Sequence, residues 1–186
     1  ILGGDNLDLA LARNLEQALT GKDKLPGHQW DVLVSAARRV KESLLADNPP
    51  ESITINLPSA GSKLIGGGIQ VAVTAEQVRR LLVEGFLPAV NFTRPPTRRE
   101  SGFQEFGLPY AADSAITGYL AAFLSAHRFT GDDRPRSDWQ ANGQVDPARP
   151  DVVLFNGGFF ASPVLRARLL EVLTSWFSPP SDPWMP

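Results

Sequence analysis

The chain has 186 residues, 42% of them hydrophobic, which suits one ordinary domain or two small subdomains with a sizeable core. Its formal net charge of −2 supplies no global basic field, which argues against nucleic acid as the main partner. Cysteine is absent, so a disulfide scaffold and a thiolate metal site are excluded, and a reducing, cytoplasmic setting is expected.

Residues 5–20 read as a helix with Leu7, Leu11, Leu15 and Ala18 on one face and Asp5 as the N-terminal cap. Gly21 to Gly27 is a polar break. A second helix is predicted from Asp31 to Leu45, with an apolar stripe of Leu33, Ala36, Ala37, Val40 and Leu44. On its other side Arg38 and Glu42 have the spacing of an i,i+4 ion pair. Asn48-Pro49-Pro50 stops that helix.

Ile53, Ile55 and Leu57 alternate with polar residues, and so do Ile69, Val71 and Val73. Both segments read as half-buried strands of a hairpin or a small antiparallel sheet. Gly66-Gly67-Gly68 precedes a strand and lacks a Lys-Ser/Thr ending, so it reads as a hairpin or bulge and not as a phosphate loop. Thr74 and Gln77 form a capping-box signature, and a helix is expected to run on to Val90 with Val78, Leu81, Leu82 and Phe86 inward.

Residues 91–112 read as a long loop. A helix over 114–126, capped by Asp113, is expected to bury Ile116, Tyr119, Leu120 and Phe123. Residues 128–150 read as a surface excursion. Val152-Val153-Leu154-Phe155 is an unbroken apolar run and reads as a strand covered on both faces. Asn156-Gly157-Gly158 makes a tight turn, Ser162 and Pro163 open a last helix, and Leu165, Leu169, Val172 and Trp176 face inward along it.

Two glycine pairs, Gly3-Gly4 and Gly157-Gly158, each lead toward a helix. Glycine lets backbone approach a ligand, and a helix N-terminus attracts anions, so such turns suit a nucleotide. Arg38, Arg39 and Lys41 form a basic cluster on the second helix, and Arg94, Arg98 and Arg99 a second one in the long loop. His28 and His127 have no companion at metal-ligand spacing, so no metal site is expected. No Ser-His-Asp or Cys-His arrangement can be assembled, so no catalytic residue is named. No apolar run reaches the roughly 18 residues of a membrane span, and no signal peptide is visible. The only methionine is Met185, and the chain reads as an excised piece of a longer protein, a pattern that proteolytic processing would also give.

Several segments, in order, resemble the second lobe of the ATPase domain of DnaK-type (seventy-kilodalton heat-shock) chaperones. Leu2-Gly3-Gly4-Asp5-Asn6-Leu7-Asp8 resembles the run that opens a lobe II helix. Ser35 to Leu44 is similar to the family helix that lines the adenosine pocket. Asp151 to Pro163 resembles the strand–glycine pair–helix element that closes over adenosine. Gly107-Leu108-Pro109-Tyr110 and Leu154 to Gly158 are similar to segments of the long, divergent bacterial members.

The resemblance implies an α/β fold, an actin-like (ribonuclease-H-like) ATPase lobe II with an inserted small α+β subdomain. The α/β part would comprise residues 1–21 and 91–178, the insertion 22–90, and a tail 179–186. It implies ATP or ADP as ligand, with Mg in the full-length parent, between this lobe and a first lobe. Gly3, Gly4, Lys41, Gly157 and Gly158 fall at nucleotide-facing positions of the family. Arg38 stands in place of a ribose-binding acid, Leu45 in place of an adenine-binding serine, and Ala161 in place of the arginine that stacks on adenine. Phe159 replaces the serine after the glycine pair and would offer an aromatic surface instead. The catalytic groups of the family belong to the first lobe and to a phosphate hairpin preceding Ile1, so the piece is expected to be inactive alone. Its partners would be the first lobe and the substrate-binding part of its own chain, with a nucleotide-exchange factor at the 50–90 subdomain. The alternatives are a non-catalytic protein-interaction module, or a lobe of another actin-like ATPase or kinase.

Overall fold

The computed structural model describes residues 3–21, 23–58, 68–93, 114–127, 145–177 and Trp184. Its elements are helices α1 (Gly4–Thr20) and α2 (Gly27–Leu44), strands β1 (Ser52–Leu57) and β2 (Ile69–Thr74), and a helical run of three parts. That run is α3 (Ala75–Val78), a π-helical turn (Arg79–Val83) and α4 (Glu84–Phe86). Helix α5 (Ile116–Ala126), a 3-10 turn (Gly158–Ala161) and α6 (Pro163–Phe177) complete it. No helix among the described residues is long and apolar enough to cross a membrane.

Helix α1 starts two residues earlier than a cap at Asp5 would allow, because Gly3 is the cap. The Asn6 side chain accepts a hydrogen bond from the Gly3 amide (2.8 Å), and this closes the first turn. Asp5 is left exposed and free to pair elsewhere. Leu7, Leu11 and Leu15 are buried as expected, while Ala18 is exposed near the helix end. Gly21 ends the helix at φ +69°, a conformation that costs an L side chain strain.

Helix α2 begins at Gly27, after Pro26, and buries every member of its predicted stripe. Strands β1 and β2 pair antiparallel, with Ile53 opposite Val73, Ile55 opposite Val71 and Leu57 opposite Ile69. Gly68 is required here, since a Cβ on it would stand 2.7 Å from the Leu57 carbonyl oxygen. Gly66 and Gly67 lie outside the described residues. The Gln29 side-chain amide donates to the Pro58 carbonyl (2.6 Å), tying α2 to the end of β1.

The Thr74 capping box forms as predicted. The helical run stops at Phe86, short of Val90, because Pro88 disfavours helix at the residue before it. The π turn admits an extra residue and rotates the inward face, so Val83 is buried and Leu81 only half-buried. Carbonyls that the ended helix leaves free find side-chain donors. Ser114 Oγ donates to Gly85 O, Thr117 Oγ1 to Pro88 O, Arg168 Nε to Leu87 O and Trp176 Nε1 to Val90 O.

Helix α5 buries Thr117, Gly118 and Ala121, not Tyr119 and Phe123, which are exposed. The two aromatic rings fall on the face opposite these small side chains. Helix α6 buries Leu165, Leu169, Val172 and Trp176 as predicted. Phe92, Trp176, Phe177 and Trp184 form an edge-to-face aromatic cluster over its end, with Phe177 to Trp184 at 5.8 Å. One continuous core draws on α1, α2, the hairpin, the α3–α4 run and α6.

The expectation of a doubly covered strand over Val152–Phe155 is overturned. Among the described residues no strand pairs with it. Val153 and Phe155 pack against the core, but Val152 is 79% and Leu154 90% exposed. The apolar run is therefore covered on one face only. Asp113 and the loop arginines Arg94, Arg98 and Arg99 lie outside the described residues.

Candidate functional site

The two glycine turns meet. An added Cβ on Gly4 would lie 3.9 Å from Gly158 C, 3.8 Å from Phe159 N and 3.7 Å from Lys41 Nζ. The first turn of α1, the Gly157-Gly158 turn and the last turn of α2 thus converge on one point. Gly157 bends the chain at φ +83° and ψ 163°, a region almost restricted to glycine. Asn156 steadies the turn, its Oδ1 accepting from the Gly157 amide at 2.7 Å.

Beside this junction lies a cleft of about 320 Å³. One wall is the C-terminal part of α2, with Lys41, Glu42, Leu45, Ala46 and Asp47. The other is the 3-10 turn and the start of α6, with Gly158, Phe159, Ala161, Ser162, Pro163 and Leu165. The volume is at the lower end of what small-ligand sites enclose, on the order of 300–1,000 Å³.

Ser162 holds the walls together. Its hydroxyl donates to the Leu45 carbonyl (2.8 Å) and accepts from the Leu165 amide (3.4 Å). It therefore both caps α6, as its place before Pro163 predicts, and fastens α6 to the end of α2. The second bond joins residues far apart in sequence and could not be read from spacing.

Lys41 is buried at the floor of the junction. Its ammonium stands 2.6 Å from Asp8 Oδ1 and donates to Gly4 O at 3.4 Å. The Asp8 oxygen lies outside good hydrogen-bond angles, so charge attraction holds that pair more than a directed bond does. Asp8 Oδ2 accepts from Arg38 Nε (2.8 Å), and Asp5 Oδ1 accepts from Arg38 Nη2 (2.7 Å). The Asp8 bond and charge, with Asp5, raise the Arg38 pKa further above its ordinary value.

Arg38 therefore pairs across to α1 and not along its own helix to Glu42. Two carboxylates face two cations, so the cluster is neutral, with Asp8 and Lys41 buried and Arg38 and Asp5 exposed at its edge. Arg39 turns to the opposite side of α2, toward a groove against β1. Among the described residues no group of three or more His, Asp or Glu is placed to hold a metal ion.

Of the sequence-predicted residues, Gly4, Lys41, Gly158 and Phe159 meet at the junction, and Arg38 borders it through Asp8. Gly3 and Gly157 shape the backbone that leads in. Phe159 lines the cleft but is only 9% exposed, with its ring edge-on to Phe160 at 4.8 Å. It offers a ligand a rim and not a full stacking face. Sequence reasoning missed Asp8, Asp47, the Glu42 carboxylate in the cleft and the Ser162 clasp. For Asp8 the signal existed: a carboxylate next to Leu7 on the buried face of α1 needs a cation nearby.

Comparison with protein-family models, with curated proteins and with solved structures found no match for this chain.

Proposed function

We propose that this chain forms one wall of a nucleotide-binding cleft, the nucleoside side, in an actin-like ATPase of the DnaK type. The observation that carries the reading is the junction of Gly4, Gly158 and Lys41 beside an open cleft between α2 and α6. Glycine on both sides lets ribose-sized groups approach backbone, which is what the resemblance in sequence implies for these positions.

In this reading ATP or ADP lies along the cleft, and Mg and the phosphate-activating groups come from elsewhere in a longer cytoplasmic protein. This chain supplies the shape of the wall and a close backbone approach at Gly4 and Gly158, and it performs no chemistry alone. The division into an α/β part (1–21, 91–178) and an inserted part (22–90) belongs to the same proposal. So do the first lobe as a partner and an exchange factor docking on the 50–90 face.

The test is titration calorimetry with ADP and ATP. Saturable heat that a Gly4→Leu variant lacks supports the reading. No heat and no competition at millimolar nucleotide would sink it.

The open segment 152–156 favours a second reading, a protein-interaction module. Val152 and Leu154, exposed beside the core-packed Val153 and Phe155, offer an apolar strip to a partner. Wild-type nucleotide binding in a Leu154→Lys variant, with loss of a protein partner, would separate the two.

A further inference from the structure

A second groove, of about 300 Å³, lies between α2 and β1 and shares no lining residue with the cleft. On the α2 wall Val32, Ala36 and Val40 give an apolar floor, and the exposed Arg39 stands at the rim. The other wall is β1, which contributes four consecutive residues, Ile53 to Asn56. Side chains alternate between the two faces of a strand, so four in a row line a groove only where it runs along the strand's edge. Strand β2 takes one edge of β1, and among the described residues no strand takes the other. Such an edge presents unpaired N–H and C=O groups at every second residue.

Two observations say what this edge is shaped to take. It carries none of the devices that keep strand edges apart: Ser52–Leu57 holds no charge and no proline, and its one-to-one register with β2 has no bulge. Arg39, beside it, makes no ion pair and no hydrogen bond among the described residues, and no acidic side chain lines the groove there. Its neighbour Arg38, by contrast, is already balanced by Asp8 and Asp5.

We propose that the groove takes an extended acidic peptide segment of a partner protein, which adds to β1 as a third strand and sets a carboxylate against Arg39. Backbone bonds to β1 supply affinity, and alternate side chains of the added strand fill the apolar floor. The carboxylate supplies selection by charge. A second copy of this chain meets only half of these requirements, because its own β1 brings no carboxylate to Arg39. The inference rests on the groove alone and is independent of the nucleotide reading.

The test uses three labelled heptapeptides of alternating valine and threonine. One has a glutamate at the centre, one has a lysine there, and the third is the glutamate peptide N-methylated on two successive central nitrogens. Binding to the whole chain is read by fluorescence anisotropy and located by backbone amide chemical shifts. The glutamate peptide is expected to bind, with shifts concentrated along β1 and the facing side of α2. The lysine peptide should bind about threefold more weakly or worse, the scale of one exposed ion pair. The N-methylated peptide, which cannot pair as a strand, should not bind. Arg39 is exposed, so Arg39→Glu spares the core, and it should reverse the preference between glutamate and lysine. Equal binding of these two peptides, binding of the N-methylated one, shifts away from the groove, or no binding at millimolar peptide each overturns the proposal. So does a dimer in sedimentation of the chain alone whose β1 amides shift on dilution, since the edge then belongs to a second copy.

Discussion

Lys41 on α2 is fixed by Asp8 on α1: the ammonium and carboxylate stand 2.6 Å apart, and their side chains are 11% and 1% exposed. The pair sits directly under Gly4, so the same contact that neutralises a buried charge also positions the floor of the cleft. Breaking one partner of such a pair leaves the other charge uncompensated, whereas removing both together is far less costly.

Asp8→Asn is therefore expected to destabilise the fold by roughly 3 kcal/mol, as uncompensated buried charges do. Adding Lys41→Met should restore at least half of that loss. Urea unfolding of the two single variants and the double variant gives the coupling. Additive losses would show that Asp8 and Lys41 act independently.

The junction has room at Gly4 for one methyl group and no more. The three nearest atoms to an added Cβ stand at 3.7, 3.8 and 3.9 Å, ordinary contact distances. Gly4→Ala should leave the unfolding free energy within about 1 kcal/mol of wild type, while Gly4→Leu should lose about 1–3 kcal/mol by overpacking, as urea unfolding measures. Equal stability of the two variants would mean that the glycine turns do not meet as described.

Gly157 and Gly158 are neighbours with opposite tolerance. Gly157 lies at φ +83°, and Gly158 has open space where a Cβ would go. Gly157→Ala is expected to cost about 1–3 kcal/mol through backbone strain. Gly158→Ala should change stability little and act, if at all, on ligand binding. A thermal scan of both variants decides it; the reverse ranking would contradict the turn geometry.

Ser162→Ala removes both the α6 cap and the bond to Leu45 O. The expected loss is about 1–2 kcal/mol, the range of a capping bond. Ser162→Thr keeps the hydroxyl and should recover most of it. Amide hydrogen exchange should rise at the start of α6 and the end of α2 together. A rise confined to α6 would mean that the clasp does not hold the walls.

Much of the local structure was legible in sequence. The stripe Leu33, Ala36, Ala37, Val40 and Leu44, the alternation in β1 and β2, the Thr74 capping box and the inward face of α6 follow from periods and caps that neighbouring residues impose. The π turn and the outward rings of Tyr119 and Phe123 did not, because each reflects how a helix face meets its neighbours, whereas the stop at Phe86 is a local consequence of Pro88.

The sequence by itself determined the glycine pairs, the buried helical faces and the presence of Lys41 one residue beyond a core position. Only the tertiary structure decided that Gly4 meets Gly158, that Asp8 and Asp5 together balance Lys41 and Arg38, and that Glu42 lines a cleft. It also decided that Val152–Phe155 is covered on one face and open on the other. The reason is physical: periodicity reports which side of an element is apolar, while pairing of charges and covering of edges depend on residues brought close from distant parts of the chain.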